Sequence, residues 1–437
     1  MARSSDIAKA DESVMKPPHR SVSMPKVAAA SFAGAVLEWY DFFLFGTASA
    51  LIFGPLFFPA TNAAASTGAA FATFGVGFIA RPLGGIFFGH LGDKLGRKVT
   101  LIATLLITGT GTFLIGLLPT YASIGIWAPI GLVILRLVQG FGLGGEYGGA
   151  ALLTIEHAAP NRRGFWGSLP QASAATGLLI GTVIFDLMSR LPRNDFLDWG
   201  WRVPFLLSVV MLAIGVFIRL NVLETPDFEH TRQTDQVTRV PLFSLLAQQP
   251  LNTLYATGAR LAETVSFNII AVFGITYVTN VVGVSRSVPL RGIMISSLVA
   301  IPLCPLFGLL SDRWGRRTLY LVGCVCSFVL ALPFFALLDT GSPGLILVAM
   351  VIIYSLAPTL MFSVEATFFA ELFHVNVRYT GLSVAYQLSA VIGGFVPLVA
   401  LYLLTADAKS PWMVAALLMA ISVISFLSAC LATRVDK

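Results

Sequence analysis

An all-α membrane protein that crosses a bilayer about twelve times is the fold class this sequence predicts, on three observations. Apolar residues make up 56% of the 437 and charged residues only 11%, where a soluble domain carries about 25% charge. Mean hydropathy is +0.82. Apolar runs of about 20 residues, the length that spans a bilayer as a helix, recur along the chain between short charged loops. The 40 glycines fit as well, because glycine lets membrane helices approach closely.

Taken in order, residues 1–30 form a polar, basic tail (Arg3, Lys9, Lys16, Arg20, Lys26). A cleaved signal peptide fits poorly, because the apolar run after Lys26 continues to about Phe58 and contains Glu38 and Asp41. Twelve spans are then predicted: 33–57, 69–90, 99–118, 128–153, 166–188, 203–222, 252–279, 289–310, 318–338, 344–369, 380–404 and 412–433. The charged insert 223–250 (Glu224, Asp227, Glu229, Arg232, Asp235, Arg239) divides them six and six. This gives an N-terminal bundle at 31–222, a linker, a C-terminal bundle at 251–433 and a short tail at 434–437.

The net charge of +6 raises nucleic acid as a partner, and the loops answer it. With both termini placed in the cytoplasm, six of the 28 Lys and Arg (Arg190, Arg193, Arg202, Arg286, Arg291, Lys409) fall outside. Arg136 and Arg260 fall within spans, and the rest count as cytoplasmic, as the positive-inside rule requires. Topology accounts for the basic balance, so no nucleic acid is expected. Cys304, Cys324, Cys326 and Cys430 lie in apolar runs without metal-ligand spacing and read as small hydrophobes. Neither a metal, a cofactor nor a nucleotide loop is expected, and the chain is not expected to be an enzyme.

Two loops repeat. Gly89-His-Leu-Gly-Asp93-Lys-Leu-Gly96-Arg97-Lys98 follows the second span, and Gly308-Leu-Leu-Ser-Asp312-Arg-Trp-Gly315-Arg316-Arg317 follows the eighth, 219 residues on. Glu156-x6-Arg163 and Glu371-x6-Arg378 echo each other at an offset of 215. Two charged patterns at nearly one offset indicate two halves related by a parallel repeat, with a site between them.

The loop pattern G-x-L-x-D-[KR]-x-G-R-[KR] resembles the signature of the major facilitator superfamily. Arg136-x-x-Gln139-Gly140-x-Gly142-x-Gly144-Gly145 is similar to that superfamily's fourth-helix motif. Leu37-Glu-Trp-Tyr-Asp41-Phe-Phe, Ala72-Thr-Phe-Gly-Val-Gly-Phe-Ile-Ala-Arg81-Pro-Leu-Gly-Gly and Gly144-Gly-Glu146-Tyr-Gly-Gly-Ala narrow the resemblance. They point to the metabolite–proton symporter branch, which includes shikimate, α-ketoglutarate, citrate and proline/betaine carriers. Ser31-Phe-Ala-Gly-Ala-Val is most similar to its shikimate-permease-like members. The resemblance implies the major facilitator fold of two pseudo-symmetric six-helix bundles in a bacterial-type inner membrane. It also implies proton-coupled uptake of a small organic acid by alternating access.

Ionisable residues inside a bilayer are costly and are functional candidates by default. Glu38 and Asp41 share one face of the first helix at i,i+3, with Tyr40 between them. No histidine lies mid-span, so proton carriage falls to carboxylates, Asp41 first. Arg136 cannot lose its proton, so it needs a carboxylate from the protein or the substrate. It is expected to face Asp41 or Glu38 and to share itself with a substrate; a permanent ion pair is the alternative. Arg260 and Glu263 form a second i,i+3 pair, which could bind substrate or simply neutralise itself. Gln139, Gln171, Asn268, Tyr386 and Gln387 are polar candidates for the cavity lining, against plain interhelical hydrogen bonding. The stripe Gly140, Gly144, Gly148 reads as a close helix contact. Gly89, Asp93, Arg97, Arg163, Gly308, Asp312, Arg316 and Arg378 read as latch residues. Glu146 and Glu365, themselves 219 apart, are expected to join them by accepting from a helix N-terminus or a loop arginine.

The leading reading is therefore a proton symporter of a small organic acid, acting as a monomer in the lipid bilayer with protons as co-substrate. A proline/betaine-type osmolyte symporter, a drug exporter and a non-transporting membrane sensor on the same fold are the alternatives.

Overall fold

The computed structural model describes residues 24–60, 62–95, 97–144, 154–155, 158–221, 245, 247–374, 377–433 and 435. Among them ten helices are long and apolar enough to cross a bilayer, and two shorter apolar ones, Ile102–Leu117 and Trp127–Leu143, complete a set of twelve. The helices are α1 (Met24–Ala48), α2 (Ala63–Leu95), α3 (Arg97–Leu117), α4 (Trp127–Leu143), α5 (Arg163–Ser189) and α6 (Ser208–Asn221). The second six are α7 (Pro250–Asn268), α8 (Ser287–Trp314), α9 (Arg316–Asp339), α10 (Pro343–Ala370, broken at Ala357), α11 (Arg378–Ala406) and α12 (Trp412–Leu431). A helix satisfies its own backbone, which is why a chain this apolar resolves into helices. Leu83, Ile86, Trp127, Phe217, Leu254 and Tyr402 stand exposed on the outer faces, where hydrocarbon replaces water as the solvent.

The repeat seen in the loops reappears in space. Within the first six helices α1 packs on α5, α2 on α4 and α3 on α6; within the second, α7 packs on α11, α8 on α10 and α9 on α12. The seams between the two sets run along α5–α8 and α2–α11. Both lead helices also carry a π turn, Ser49–Phe53 after α1 and Ile269–Phe273 after α7.

Backbone contact explains the glycine stripe. A Cβ on Gly140 would run into the Gly77 carbonyl, and one on Gly144 into the Arg81 carbonyl. The stripe is thus the close contact of α4 with α2; Gly148 lies outside the described residues.

One expectation needs correcting here. The cytoplasmic count takes in Arg81, although the predicted span 69–90 contains it; the structure sets it inside the second span, Ala63–Phe88, and buries it. Arg136 and Arg260 are therefore not alone among intramembrane cations.

Candidate functional site

A small central cavity, with about 40 Å³ of free space, lies between the two sets of helices. The lining is aromatic on several sides (Trp39, Phe42, Phe43, Phe78, Phe267, Tyr354). Its polar side chains are Arg81, Gln171, Arg260, Glu263, Thr264, Asn268, Thr359 and Tyr386. Of the predicted lining residues, Gln171, Arg260, Glu263, Asn268 and Tyr386 are there. Tyr40, Arg136, Gln139 and Gln387 are not, for separable reasons. The Tyr40 hydroxyl donates to the Pro204 carbonyl (2.5 Å) and ties α1 to the sixth span. Gln387, one residue past Tyr386 and so about 100° round the helix, donates to the Gly144 carbonyl (3.2 Å), joining α11 to α4.

On the α7 side, one guanidinium serves two carboxylates. Arg260 Nε donates to Glu365 Oε1 (2.8 Å), and its Nη2 lies 3.3 Å from Glu263 Oε2. Nη1 donates to the Ser389 hydroxyl (2.9 Å), and the guanidinium lies over the Tyr386 ring at 3.6 Å. All three charged side chains are buried. This places Glu365 in the central cluster. The latch expectation fails for it because its side chain turns toward α7. Arg316 of the second signature loop instead pairs with Glu371.

On the α1 side the arrangement differs. Arg136 is 1% exposed and passes over Gly77, where a Cβ would stand 2.5 Å from its Nε. Its Nε and Nη2 donate to the Phe74 carbonyl (3.4 Å each) and its Nη1 to Gln139 Oε1 (3.3 Å). Phe45 lies 4.2 Å and Phe74 5.0 Å from the guanidinium. Among the described residues no carboxylate forms an ion pair with it, so the expected Arg136–Asp41 or Arg136–Glu38 contact is absent here. Asp41 is 5% exposed and faces Thr112 of α3. Gln139 donates to Thr112 Oγ1 (2.6 Å). A chain of polar groups thus runs Asp41, Thr112, Gln139, Arg136, behind the cavity wall. Glu38 is half-buried and has interactions of its own. Neither carboxylate lines the cavity; the α1 residues that do are Trp39, Phe42 and Phe43.

Sequence reasoning missed Arg81 as a site residue. It is 6% exposed, lines the cavity and lies over the rings of Phe42 (4.8 Å) and Phe78 (4.4 Å). The same two rings sit 5.8 and 5.9 Å from Arg136. The signal was present: a cation inside an 18-residue apolar run, within a motif already singled out.

Contacts between the sets occur at both ends. Asp312 Oδ1 and Oδ2 accept from the backbone N–H groups of Gly164 (2.8 Å) and Phe165 (3.0 Å). A carboxylate from one set thereby caps the N-terminus of α5 in the other, where orphan donors and the helix dipole favour an anion. Arg316 lies 3.5 Å from Asp312. Gly308 stands so close to Gly164 and Ser168 that a Cβ would collide. At the opposite end the ties are lighter: Thr276, in the helical stretch after the second π turn, donates to the Ala50 carbonyl of the first (3.1 Å), and Arg286 donates to the Ser189 carbonyl (2.7 Å). Arg163 and Arg378 open α5 and α11 beside the signature-loop end. Gly89, Asp93 and Arg97 lie on α2 and α3 at the corresponding loop; the side chains of Asp93 and Arg97, and all of Glu146 and Glu156, fall outside the described set.

The sequence matches the profile of the Major Facilitator Superfamily over residues 31–396. It is 40% identical to the shikimate transporter of Escherichia coli (strain K12), across 93% of this chain and 94% of that one. It is 34% identical to the proline/betaine transporter of the same organism, across 92% and 82%. The solved structure of a D-xylose-proton symporter superposes with a TM-score of 0.71 at 17% identity, covering 94% of this chain and 98% of that one; at that identity the likeness is one of fold. A profile match over most of the chain and relatives of this identity and coverage leave one conclusion: the chain is a multi-pass membrane transporter of small molecules, not an enzyme, and belongs to the Major Facilitator Superfamily.

Proposed function

We propose that the protein takes up a small organic acid, shikimate or a related carboxylate, together with protons by alternating access, with both termini in the cytoplasm. One observation carries this reading: a mid-bundle cavity lined by buried ionisable groups, with distinct contacts between the two helix sets at each end. Those contacts can break in turn, while the cavity sits between them. The shikimate transporter among the relatives supports the substrate class, and the fold shared with a D-xylose-proton symporter supports the energy source.

Asp41 is the proposed proton carrier, with Glu38 one turn away. It is buried without a cationic partner at ion-pair distance among the described residues, and protonation removes the charge that burial makes costly. When Asp41 is ionised, Arg136 is the cation drawn toward it along the Thr112–Gln139 chain. Arg136 and Arg81 share Phe42 and Phe78, so that movement reaches the cavity wall. Loss or gain of the proton is thereby linked to the substrate side of the same rings. The signature-loop contacts act as the latch of one conformation.

The test is uptake of radiolabelled shikimate, α-ketoglutarate, citrate, proline and glycine betaine into cells or vesicles with and without a protonophore. Protonophore-sensitive uptake of an acid is expected. Uptake of a quaternary ammonium lacking a carboxylate in preference to every acid would overturn the reading.

A further inference from the structure

Among the described residues three arginines are buried in the interior, and they differ in what the protein offers them. Arg260 has two carboxylates, a hydroxyl and an aromatic face. Arg136 has a carbonyl, an amide oxygen and four rings. Arg81 has only the faces of Phe42 and Phe78, and no hydrogen bond or ion pair to any described residue. It is also the one of the three whose guanidinium opens on the cavity without a carboxylate of its own. The ionisable groups that act on it from the facing helices are Glu38, Arg260 and the Tyr386 phenol.

A guanidinium withdrawn from water calls for an anion that matches its planar fork, and a carboxylate does so in two parallel hydrogen bonds. Rings on its faces leave the edge donors free, so they hold the plane without competing for the ligand. Asn268 of α7, also in the lining, donates its amide N–H to the Thr264 carbonyl (2.8 Å) and leaves its Oδ1 without a hydrogen-bond partner. That buried acceptor suits a hydroxyl, because it costs free energy while unmade. Much of the rest of the lining is aromatic.

We propose that Arg81 is the residue that receives the substrate carboxylate, with Asn268 accepting from a hydroxyl of a small ring-shaped acid. This rests on the reading above that the substrate is an organic acid. It moves the anchoring role from Arg136 to Arg81 and leaves Arg136 behind the rings as a coupling group.

The test uses full-length protein in proteoliposomes, with radiolabelled shikimate as probe and its carboxamide as the uncharged competitor. Wild type is expected to discriminate strongly for the acid. Arg81→Lys, which keeps the charge and loses the fork, is expected to raise KM about 10- to 100-fold, the loss expected of a charge-assisted hydrogen bond, with a smaller change in kcat. Arg81→Gln is expected to abolish the preference for acid over amide. Should the variants fail to fold, wild-type protein gives a second readout: the acid, and not the carboxamide, protects Arg81 from phenylglyoxal modification followed by mass spectrometry. Wild type that transports no acid of the panel overturns the functional reading and this inference with it. Wild type that transports shikimate, while Arg81→Lys and Arg81→Gln keep its KM and its acid preference, or while shikimate leaves Arg81 unprotected, overturns this inference alone.

Discussion

The two lead helices, α1 and α7, each bring charge beside one cavity, and they do it in opposite ways. At α7 the cation and its carboxylates are in contact: Arg260 holds Glu263 and Glu365 at 3.3 and 2.8 Å. On the α1 side they are apart, with Thr112 and Gln139 standing between Asp41 and Arg136. Paired charges in a low-dielectric interior lock a structure, because breaking the pair strands a charge. Separated ones leave two arrangements within reach of each other, which is what a coupling device needs. On the proposed reading, the α7 side contributes a fixed ion-pair cluster and the α1 side the proton-linked movement.

Substitution of the two arginines sharpens that comparison most. Arg260→Met strands two buried carboxylates and is expected to cost about 3–5 kcal/mol, read as a large fall in Tm of the purified protein. Adding Glu263→Gln and Glu365→Gln is expected to restore most of it. Arg136→Met removes a charge that no carboxylate balances and is expected to cost only about 1 kcal/mol in stability, while abolishing gradient-driven accumulation. Equal losses of Tm in the two variants would break the distinction.

A smaller effect is expected at the latch. Asp312→Asn weakens the cap on α5 by about 1 kcal/mol, roughly a fivefold shift between conformations. Turnover changes more than KM, and a cysteine at the signature-loop end becomes labelled more readily. Unchanged transport at every shikimate concentration would remove Asp312 from the latch. Tyr40→Phe is the smallest: it deletes one hydrogen bond to Pro204, worth about 1 kcal/mol, and is expected to lower Tm slightly while leaving KM for shikimate as in wild type.

Hydropathy and loop charge made the twelve spans and the two-fold repeat legible, because both are linear properties of the chain. The i,i+3 pairing of Arg260 with Glu263 was legible for the same reason, since helical geometry sets it locally. What stayed hidden depends on how one helix is turned against another. Glu365 shares an offset with Glu146, yet it meets Arg260 from a helix more than 100 residues on. Tyr386 faces the cavity and Gln387 does not, a distinction of one step round a helix. Arg81 is hard to single out in sequence because a window that averages hydropathy absorbs a single cation.

The most direct test of the central claim compares wild type with Asp41→Asn in proteoliposomes under an imposed proton gradient, measuring radiolabelled shikimate accumulation and counterflow exchange side by side. The asparagine holds the uncharged form permanently. Accumulation above equilibrium is expected to be lost while exchange persists near the wild-type rate, and Glu38→Gln is expected to shift the pH dependence without uncoupling. Concentrative, protonophore-sensitive uptake by Asp41→Asn at wild-type rates would contradict it and move the proton site to Glu263.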